Sequence, residues 1–536
     1  MRLFLLLICA VTLAAAPKFV EPPILVANPN AAVPLAAVLK FSAGRTVRTT
    51  ISITDGKHSW ELHYGLDRNP ALGLPVIGMR PGRRHQIRVT IQDATRKLAW
   101  PKTLAFTTPA LPTGELDFPP LHVKGDAKRM EPGITMMTAR REESGANSNK
   151  RNQAFGMLLA IDEKGEVVWY YKAESRVSGF HRRANGNLLF FTQDFRLFEI
   201  DMLGNTIAAW YAKGRPLGPG QGTAVDTLNF HHDFSETAAG TLIMLGSDAR
   251  TIDNWYTSEK DRDAPRKTQK VMGDEILEVS RDGKVLWKWN TFEHMDPFRI
   301  GYETFNQYWM RRGFPDTHDW THANSASYDE KDDAILISFR HQSAIFKFDR
   351  KTHELRWILG EPSGWPDDLR KYLLMPAPGM RWFWQQHSPR ATANGTLLVF
   401  DNGNYGAQAF QPPLAPEKEV SRAVEYAIDE KNKTVREVWS SEIEGERKVV
   451  SIAMGSVQPL PFSNNILVGY GWLTHSTGTN GTSGVVGTAD SWSRVREFSH
   501  TKPAQLVWEV VMGDEAKPAN VGWHLFSAER WPSLVP

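Results

Sequence analysis

Between Asp162 and Trp508 the chain repeats one phrase six times: an apolar residue and a turn, then a β-rich run that ends in Trp. The copies read AIDEKGEVVWYY, EIDMLGNTIAAWY, EVSRDGKVLWKW, KFDRKTHELRWIL, YAIDEKNKTVREVW and EFSHTKPAQLVWEV. After most of them a second phrase follows, in which a His stands a few residues ahead of a turn and an apolar strand: FHRRANGNLLFF, FHHDFSETAAGTLIML, WTHANSASYDEKDDAILISF and QHSPRATANGTLLVF. A period of roughly 40 to 80 residues built from hairpins is the mark of a β-propeller, whose blades pack radially around a channel. Histidines at one register of the blade are then expected near that channel.

The repeats carry their own physical logic. In EVSRDGKVLWKW, Asp282-Gly283 supplies a hairpin turn, and alternation puts Val285 and Trp287 on one face with Leu286 on the other. Trp169, Trp210, Trp287, Trp357, Trp439 and Trp508 share this place, and recurrence at one structural position predicts packing between blades. The histidines behave differently. The phrase after the fifth Trp, GSVQPLPFSNNILVGYG, has no His at all, so the position is not needed to close a ring. His232 and His387 are in register, each eight residues before its glycine, Gly240 and Gly395, with His231 as the neighbour. In an extended segment His322 and Asn324 point to one side, because residues two apart share a face.

The segment from about Phe19 to Pro112 has another texture. AAVPLAAVLKFSA, TVRTTISITD, HSWELHYG, RRHQIRVTIQDA and KTLAFTT alternate apolar and polar residues between turn signals, which predicts half-buried antiparallel strands and a small β-sandwich of the immunoglobulin or fibronectin III kind. The Pro-rich passage TTPALPTGELDFPPL then reads as an extended linker. The expected division is 1–16 leader, 17–112 sandwich, 113–130 linker and 131–536 propeller. The leader expectation rests on MRLFLLLICAVTLAAAPKF, with one Arg, an apolar run from Leu3 to Leu13 and small residues Ala14 to Ala16, the order of a secretory signal. Cleavage there would also remove Cys9, the only cysteine in the sequence. No other run approaches the roughly 18 apolar residues of a membrane span. With 63 basic against 60 acidic residues and no dense basic run, a nucleic-acid partner is not expected.

These residues resemble the bacterial arylsulfate sulfotransferase family, the exported enzymes that need no nucleotide sulfate donor. HHD, WTHAN, FRHQSA, WILG and QHSP stand in the family's order over more than 150 residues. The resemblance implies an all-β chain with a six-bladed propeller, and a sulfuryl group passed from one phenol to another by a ping-pong route through a sulfated histidine. It implies His387 as nucleophile, His322 and a member of the HHD pair as assisting histidines, and Arg340 as the residue that holds the sulfuryl oxygens. Register favours His232 over His231 within HHD, and Asn324 falls on a residue lining the family's site. No cofactor or metal is implied; the partners are a phenolic sulfate donor and a phenol acceptor, with a homodimer among the expected assemblies and the periplasm as compartment. The family's occasional cysteine pair before the nucleophile is absent here.

The chemistry suits such a set. A neutral imidazole is a competent nucleophile near neutral pH, and a guanidinium stays charged while offering a planar fork to two oxygens. Trp320, Phe339, Trp382, Phe383, Trp384 and Tyr405 stand near these motifs and could wall a channel for flat phenols or pack in the core. Two rivals remain open at this point: inward histidines that hold a divalent metal for lyase or oxygenase chemistry, against which Arg340 argues, and a non-catalytic exported interaction propeller.

Overall fold

The computed structural model describes residues 16–94, 96–145, 148–446, 448–474, 490–516 and 519–535. The expected leader lies outside the described residues except for Ala16. Strands dominate, and the three α-helices among the described residues, Ser148–Gln153, Thr291–His294 and Asp367–Arg370, are each six residues or shorter. Chain contacts divide the molecule into Met1–Leu111 and Pro112–Leu534.

The first unit has two antiparallel sheets. Phe19–Ala27, Ala37–Ala43 and Leu74–Val76 form one; Ser59–Tyr64, Arg48–Thr54, Arg84–Gln92, Lys97–Ala99 and Leu104–Thr107 form the other. Alternation decides which face is wet: in Arg84–Gln92 the buried residues are His85, Ile87, Val89 and Ile91, with Arg84, Gln86 and Arg88 exposed between them.

The second unit contains six sheets among the described residues, each opened by a leading strand: Ile134–Glu143, Val177–Arg182, Phe234–Glu236, Ala323–Asp329, His387–Ala391 and Ser456–Pro459. The leading strands pack side by side in chain order, and Ser456–Pro459 meets Ala528–Trp531, which pairs with Ile134–Glu143, so the circuit closes. Closure is reinforced at the chain ends. Val521–His524 also pairs with the first leading strand, while Leu121–Gly125 pairs with Leu506–Met512 in the last sheet. The 113–130 segment is therefore not wholly a linker: its middle is a strand, because the open edge of the last sheet needs a hydrogen-bonding partner.

The repeated tryptophans link each sheet to the next. The indole N–H of Trp169 donates to Met202 O, that of Trp210 to Arg281 O, that of Trp357 to Glu430 Oε1, that of Trp439 to Thr501 O and that of Trp508 to Glu163 O. Every acceptor lies in the turn before the equivalent Trp strand of the following sheet, and Trp508 returns to the first sheet. A buried indole needs an acceptor for its single donor, and an oxygen of the neighbouring repeat's turn meets that need at each step, a backbone carbonyl in four cases and the Glu430 carboxylate in the fifth. Trp287 alone departs: it is half-buried and stacks on His353 of the next sheet at 4.4 Å.

Candidate functional site

The N-terminal ends of five leading strands, with the C-terminal half of Ile134–Glu143, converge on one cavity of about 410 Å³. His232, His322, Arg340 and His387 all line it, together with Arg140, Arg176, Tyr308, Arg312, Met454 and His524. The backbone turns sharply to present them. His232, His322, Gln385, Ser388 and Met454 all have positive φ, between 49° and 61°, a conformation that non-glycine residues avoid and that persists only where the surroundings impose it.

His387 opens its strand, with 2% of its surface exposed. Its Nδ1 lies 2.7 Å from Asn402 Oδ1, and the Asn402 amide nitrogen donates to Ser451 O at 2.9 Å and Met454 O at 3.0 Å. That pinning turns Oδ1 toward the ring, so Nδ1 carries the proton and Nε2 keeps its lone pair. Nε2 accepts the Met454 N–H at 3.2 Å. Gly455, at φ +134°, permits that approach: a Cβ there would stand 2.3 Å from the Phe400 ring. Burial first, and then the nearby Arg340 charge, hold the His387 pKa down to about 3, so the ring is neutral at any working pH.

The two other imidazoles repeat the pattern. His322 Nδ1 lies 2.5 Å from Asp319 Oδ2, and the Asp319 carboxylate also accepts the Trp309 indole at 2.9 Å. His322 Nδ1 therefore donates, and Nε2 is the nitrogen left to the cavity. His231 Nε2 lies 3.0 Å from Gly246 O and 3.2 Å from Asp274 Oδ1, so that nitrogen is the donor and its Nδ1 is bare. His232 Nδ1, 2.9 Å from His231 Nδ1, must then donate, which leaves His232 Nε2 free toward the Tyr308 hydroxyl at 3.4 Å. Burial holds both His232 and His322 well below the usual imidazole range. Arg340 donates to Glu303, to Ile452 O at 3.1 Å, and sits 3.0 Å from His341 Nε2; its Nε–H is buried with no acceptor.

Two expected contacts are corrected. Asn324 does not line the cavity: His322 sits at φ +49°, so the extended alternation that would place both side chains on one face is broken. Asn324 instead donates to Gln386 O at 2.8 Å and braces the backbone beside His387. His231 is likewise behind the wall, orienting His232. None of Trp320, Phe339, Trp382, Phe383, Trp384 and Tyr405 lines the cavity. His181, from the first His phrase, is also elsewhere. It stands five residues before its glycine, Gly186, and Ser178 occupies the register shared by His232 and His387. Sequence reading missed Asp319 and Asn402, which set the tautomers, and Arg140, Arg176, Tyr308, Arg312 and His524 in the wall; DTHDWTH and FDNGN beside the quoted motifs were the available signals for the first two.

As a metal centre the region fits poorly. Near the cavity, among the described residues, Asp319, His322 and His341 are the set whose donor atoms come within 4.8 Å of one another. Their atoms already bond each other, since Asp319 takes the His322 Nδ1 proton and the Asp319 carbonyl takes that of His341 at 2.7 Å. The Arg340 guanidinium against His341 Nε2 further disfavours a dication there.

Comparison with known proteins adds the following. A family model described as Arylsulfotransferase (ASST) matches residues 121–514. Arylsulfate sulfotransferase AssT of Lelliottia amnigena is 27% identical over 52% of this chain and 52% of its own length. The protein of the same description from Escherichia coli O6:H1 is 28% identical over 52% of this chain and 51% of its own. The matched part of the chain thus spans about half the length of these curated relatives. A solved protein of unknown function from Bacteroides caccae covers 74% of this chain and 98% of its own at 13% identity and a TM-score of 0.38, a likeness too faint to bear on the site.

Proposed function

The chain belongs to the arylsulfotransferase family, and from that premise we propose that it transfers a sulfuryl group from a phenolic sulfate ester to another phenol by a ping-pong route through a sulfated His387. The observation that carries this reading is the His387 ring, locked by Asn402 with its Nε2 lone pair in a cavity it shares with Arg340.

In the first half-reaction Nε2, giving up the Met454 N–H, attacks sulfur, the bond from sulfur to the aryl oxygen breaks, and the phenolate leaves with the electron pair and takes up a proton from solvent. The ring keeps its Nδ1 proton on Asn402, so the adduct combines an imidazolium with an anionic SO₃ group. Arg340 meets the sulfuryl oxygens, with its buried Nε–H as the donor not yet used. In the second half-reaction the acceptor phenol gives its proton to His322 Nε2, whose imidazolium the Asp319 carboxylate stabilises, as its oxygen attacks sulfur and the S–N bond returns its electrons to His387. His322 then releases that proton to solvent, which balances the one solvent gave the departing phenolate, and the dyad returns to its neutral starting form. His232, held by His231 and Asp274, positions the phenolic oxygen. By analogy with phosphoryl transfer, positioning and electrostatics supply most of the acceleration.

The same reading treats the six closed sheets as a six-bladed β-propeller and the first unit as a β-sandwich, supported by the ring of leading strands and the indole relay. It keeps 1–16 as an export signal and the periplasm as compartment; no helix among the described residues is long and apolar enough to cross a membrane. The test is mass spectrometry after incubation with 4-nitrophenyl sulfate alone. One sulfuryl group on the peptide carrying His387, discharged by added phenol, is the expected result. An adduct on another residue would overturn the assignment, and no adduct and no turnover from folded protein would favour the interaction scaffold.

A further inference from the structure

The proposed chemistry uses one end of the cavity and leaves the other unexplained. Five arginines line the wall, Arg140, Arg176, Arg311, Arg312 and Arg340, against two carboxylates, Glu142 and Glu303. Glu303 pairs with Arg340 and Glu142 with Arg176. Arg140 and Arg312 have no carboxylate within ion-pair distance among the described residues. Arg140, 4% exposed, donates to Val177 O, to Ser178 Oγ at 2.8 Å and to the weak acceptor Met454 Sδ at 3.1 Å. Arg312 donates to Tyr308 O at 3.0 Å and lays its guanidinium 3.6 Å over the Tyr308 ring, which stacks in turn on His232.

Two neutral groups beside them also have unused nitrogens, and the His524 Nδ1 is a donor in the tautomer whose Nε2 accepts from the Ser491 hydroxyl. His524, fully buried, has one nitrogen 2.6 Å from Ser491 Oγ and an unpartnered Nδ1; Trp472, stacked on it at 4.1 Å, has an unpartnered buried indole N–H. Burial and the neighbouring Arg176 push Arg140 toward neutrality, with burial also lowering Arg312, yet a guanidinium stays charged in proteins. Charge buried without a counter-charge is strongly unfavourable unless a ligand supplies one. Tyr308 and His232 stand between Arg312 and His322, and Arg140 adjoins Met454, whose N–H meets His387, so one aromatic molecule can reach from the imidazoles to the arginines.

We propose that the cavity contains a second oxyanion site, made by Arg140, Arg312, His524 and Trp472, and that the phenol it sulfates carries an anionic substituent, a carboxylate, sulfate or phosphate, on the ring. The site stands on its own geometry; the word phenol rests on the sulfotransferase reading. The test uses the full chain with 4-nitrophenyl sulfate as donor and a matched acceptor series: 4-hydroxybenzoate, 4-hydroxyphenyl sulfate and 4-hydroxyphenyl phosphate against neutral 4-hydroxybenzamide and phenol. At least one anionic acceptor should exceed the amide by about 10- to 100-fold in kcat/KM, the scale of one or two charge-assisted hydrogen bonds. The ratio should collapse toward one in Arg312→Gln and fall by a smaller factor in Trp472→Phe, which removes only the N–H and stands in if Arg140→Gln does not fold.

Calorimetry without donor gives the readout independent of turnover. 4-Hydroxybenzoate should bind more tightly than 4-hydroxybenzamide, and added salt should erode the difference. Turnover of all acceptors with no anion preference would overturn the second site and leave the transferase reading intact. Anion-selective binding with no turnover of any acceptor would do the reverse. The order among carboxylate, sulfate and phosphate identifies the group recognised.

Discussion

Two positions of the same repeat unit are treated in opposite ways. At the Trp position five of the six copies do the same thing, each indole N–H reaching the turn of the next sheet, four to a backbone carbonyl and Trp357 to the Glu430 carboxylate. At the N-terminal end of the leading strands the copies diverge, with Arg176, His232, His322, His387 and Met454 facing one cavity. A position that must close a ring has one job in every sheet and converges on one residue. A position at the hub meets a ligand that has no sixfold symmetry, so each copy is free to differ. Substitutions at the two positions should therefore separate: hub changes alter rate with the fold retained, and ring changes alter stability with the chemistry retained per folded molecule.

The largest effect expected is at the hub. His387→Ala should remove the sulfuryl adduct and lower turnover of 4-nitrophenyl sulfate by about 10⁴-fold or more, as loss of a nucleophile does. Near-UV circular dichroism should still report a packed protein. If the adduct survives on the same protein, the nucleophile lies elsewhere and the contrast between hub and ring loses its main support. On the ring, Trp210→Ala and Trp508→Ala remove fully buried indoles and should cost about 3–5 kcal/mol each. Urea denaturation measures that loss, and kcat at low temperature, corrected for the folded fraction, should stay near wild type.

Between these extremes lies Asn402, which touches no substrate in the proposed cycle but fixes which nitrogen of His387 carries the proton. Asn402→Ala should slow release of nitrophenolate by about 10²-fold, the scale of losing one preorganised partner. A merely structural role would lower stability without changing the rate of the folded fraction. Rescue toward wild type by Asn402→Asp, which keeps the acceptor for Nδ1–H, separates the two.

What could be read from the chain and what could not follows the range of the interaction. The Trp rhythm and the register of His232 with His387 are local, set by turns a few residues away, and the structure keeps both. The pairing of His322 with Asn324 was also a local argument, and it failed because His322 is held at positive φ, a strain that no alternation pattern reports. Arg140 and His524 reach the cavity only because Val521–His524 returns to pair with Ile134–Glu143, nearly 400 residues away in the chain. No periodicity announces such a contact. Leu121–Gly125 escaped for the same reason: its partner, Leu506–Met512, is at the far end, and its own composition reads as linker.

The hub also makes a pH prediction that the ring does not. His232, His322, His387 and His524 are all held below the ordinary imidazole range, chiefly by burial. Above about pH 7.5 both folded and unfolded chains carry them neutral, so they contribute no pH dependence. Below that the unfolded chain binds protons that the folded one refuses, and stability falls with acid by up to about 1.4 kcal/mol per pH unit for each group, until the folded value is reached, about 3 for His387. Urea midpoints at pH 7.5, 6.5 and 5.5 should fall a little across the first interval and about three times as much across the second. By the same logic the donor half-reaction should show no acid limb near 6.5, because the nucleophile is still neutral there. A limb at that pH in the folded protein would mean a different base is at work.

Trp287 is where the contrast can be tested against itself. It holds the repeat position but is half-buried, and its contact to the next sheet is a stack on His353 with the rings 10° apart, without the indole-to-turn hydrogen bond seen in the other five. His353 is itself at φ +61° in a turn and lies 3.6 Å from Glu278, so the stack joins a tight corner to a carboxylate of the preceding sheet. Less indole area is removed from water here, and an aromatic stack adds about 0.5–1.5 kcal/mol beyond burial. Trp287→Ala should therefore cost only about 1–2 kcal/mol, well below Trp210→Ala, and Trp287→Phe, which keeps a ring for the stack and loses an N–H with no turn carbonyl to serve, should be close to neutral. A loss at Trp287 as large as at Trp210 would show that position in the ring, and not burial with a satisfied donor, is what makes these tryptophans matter.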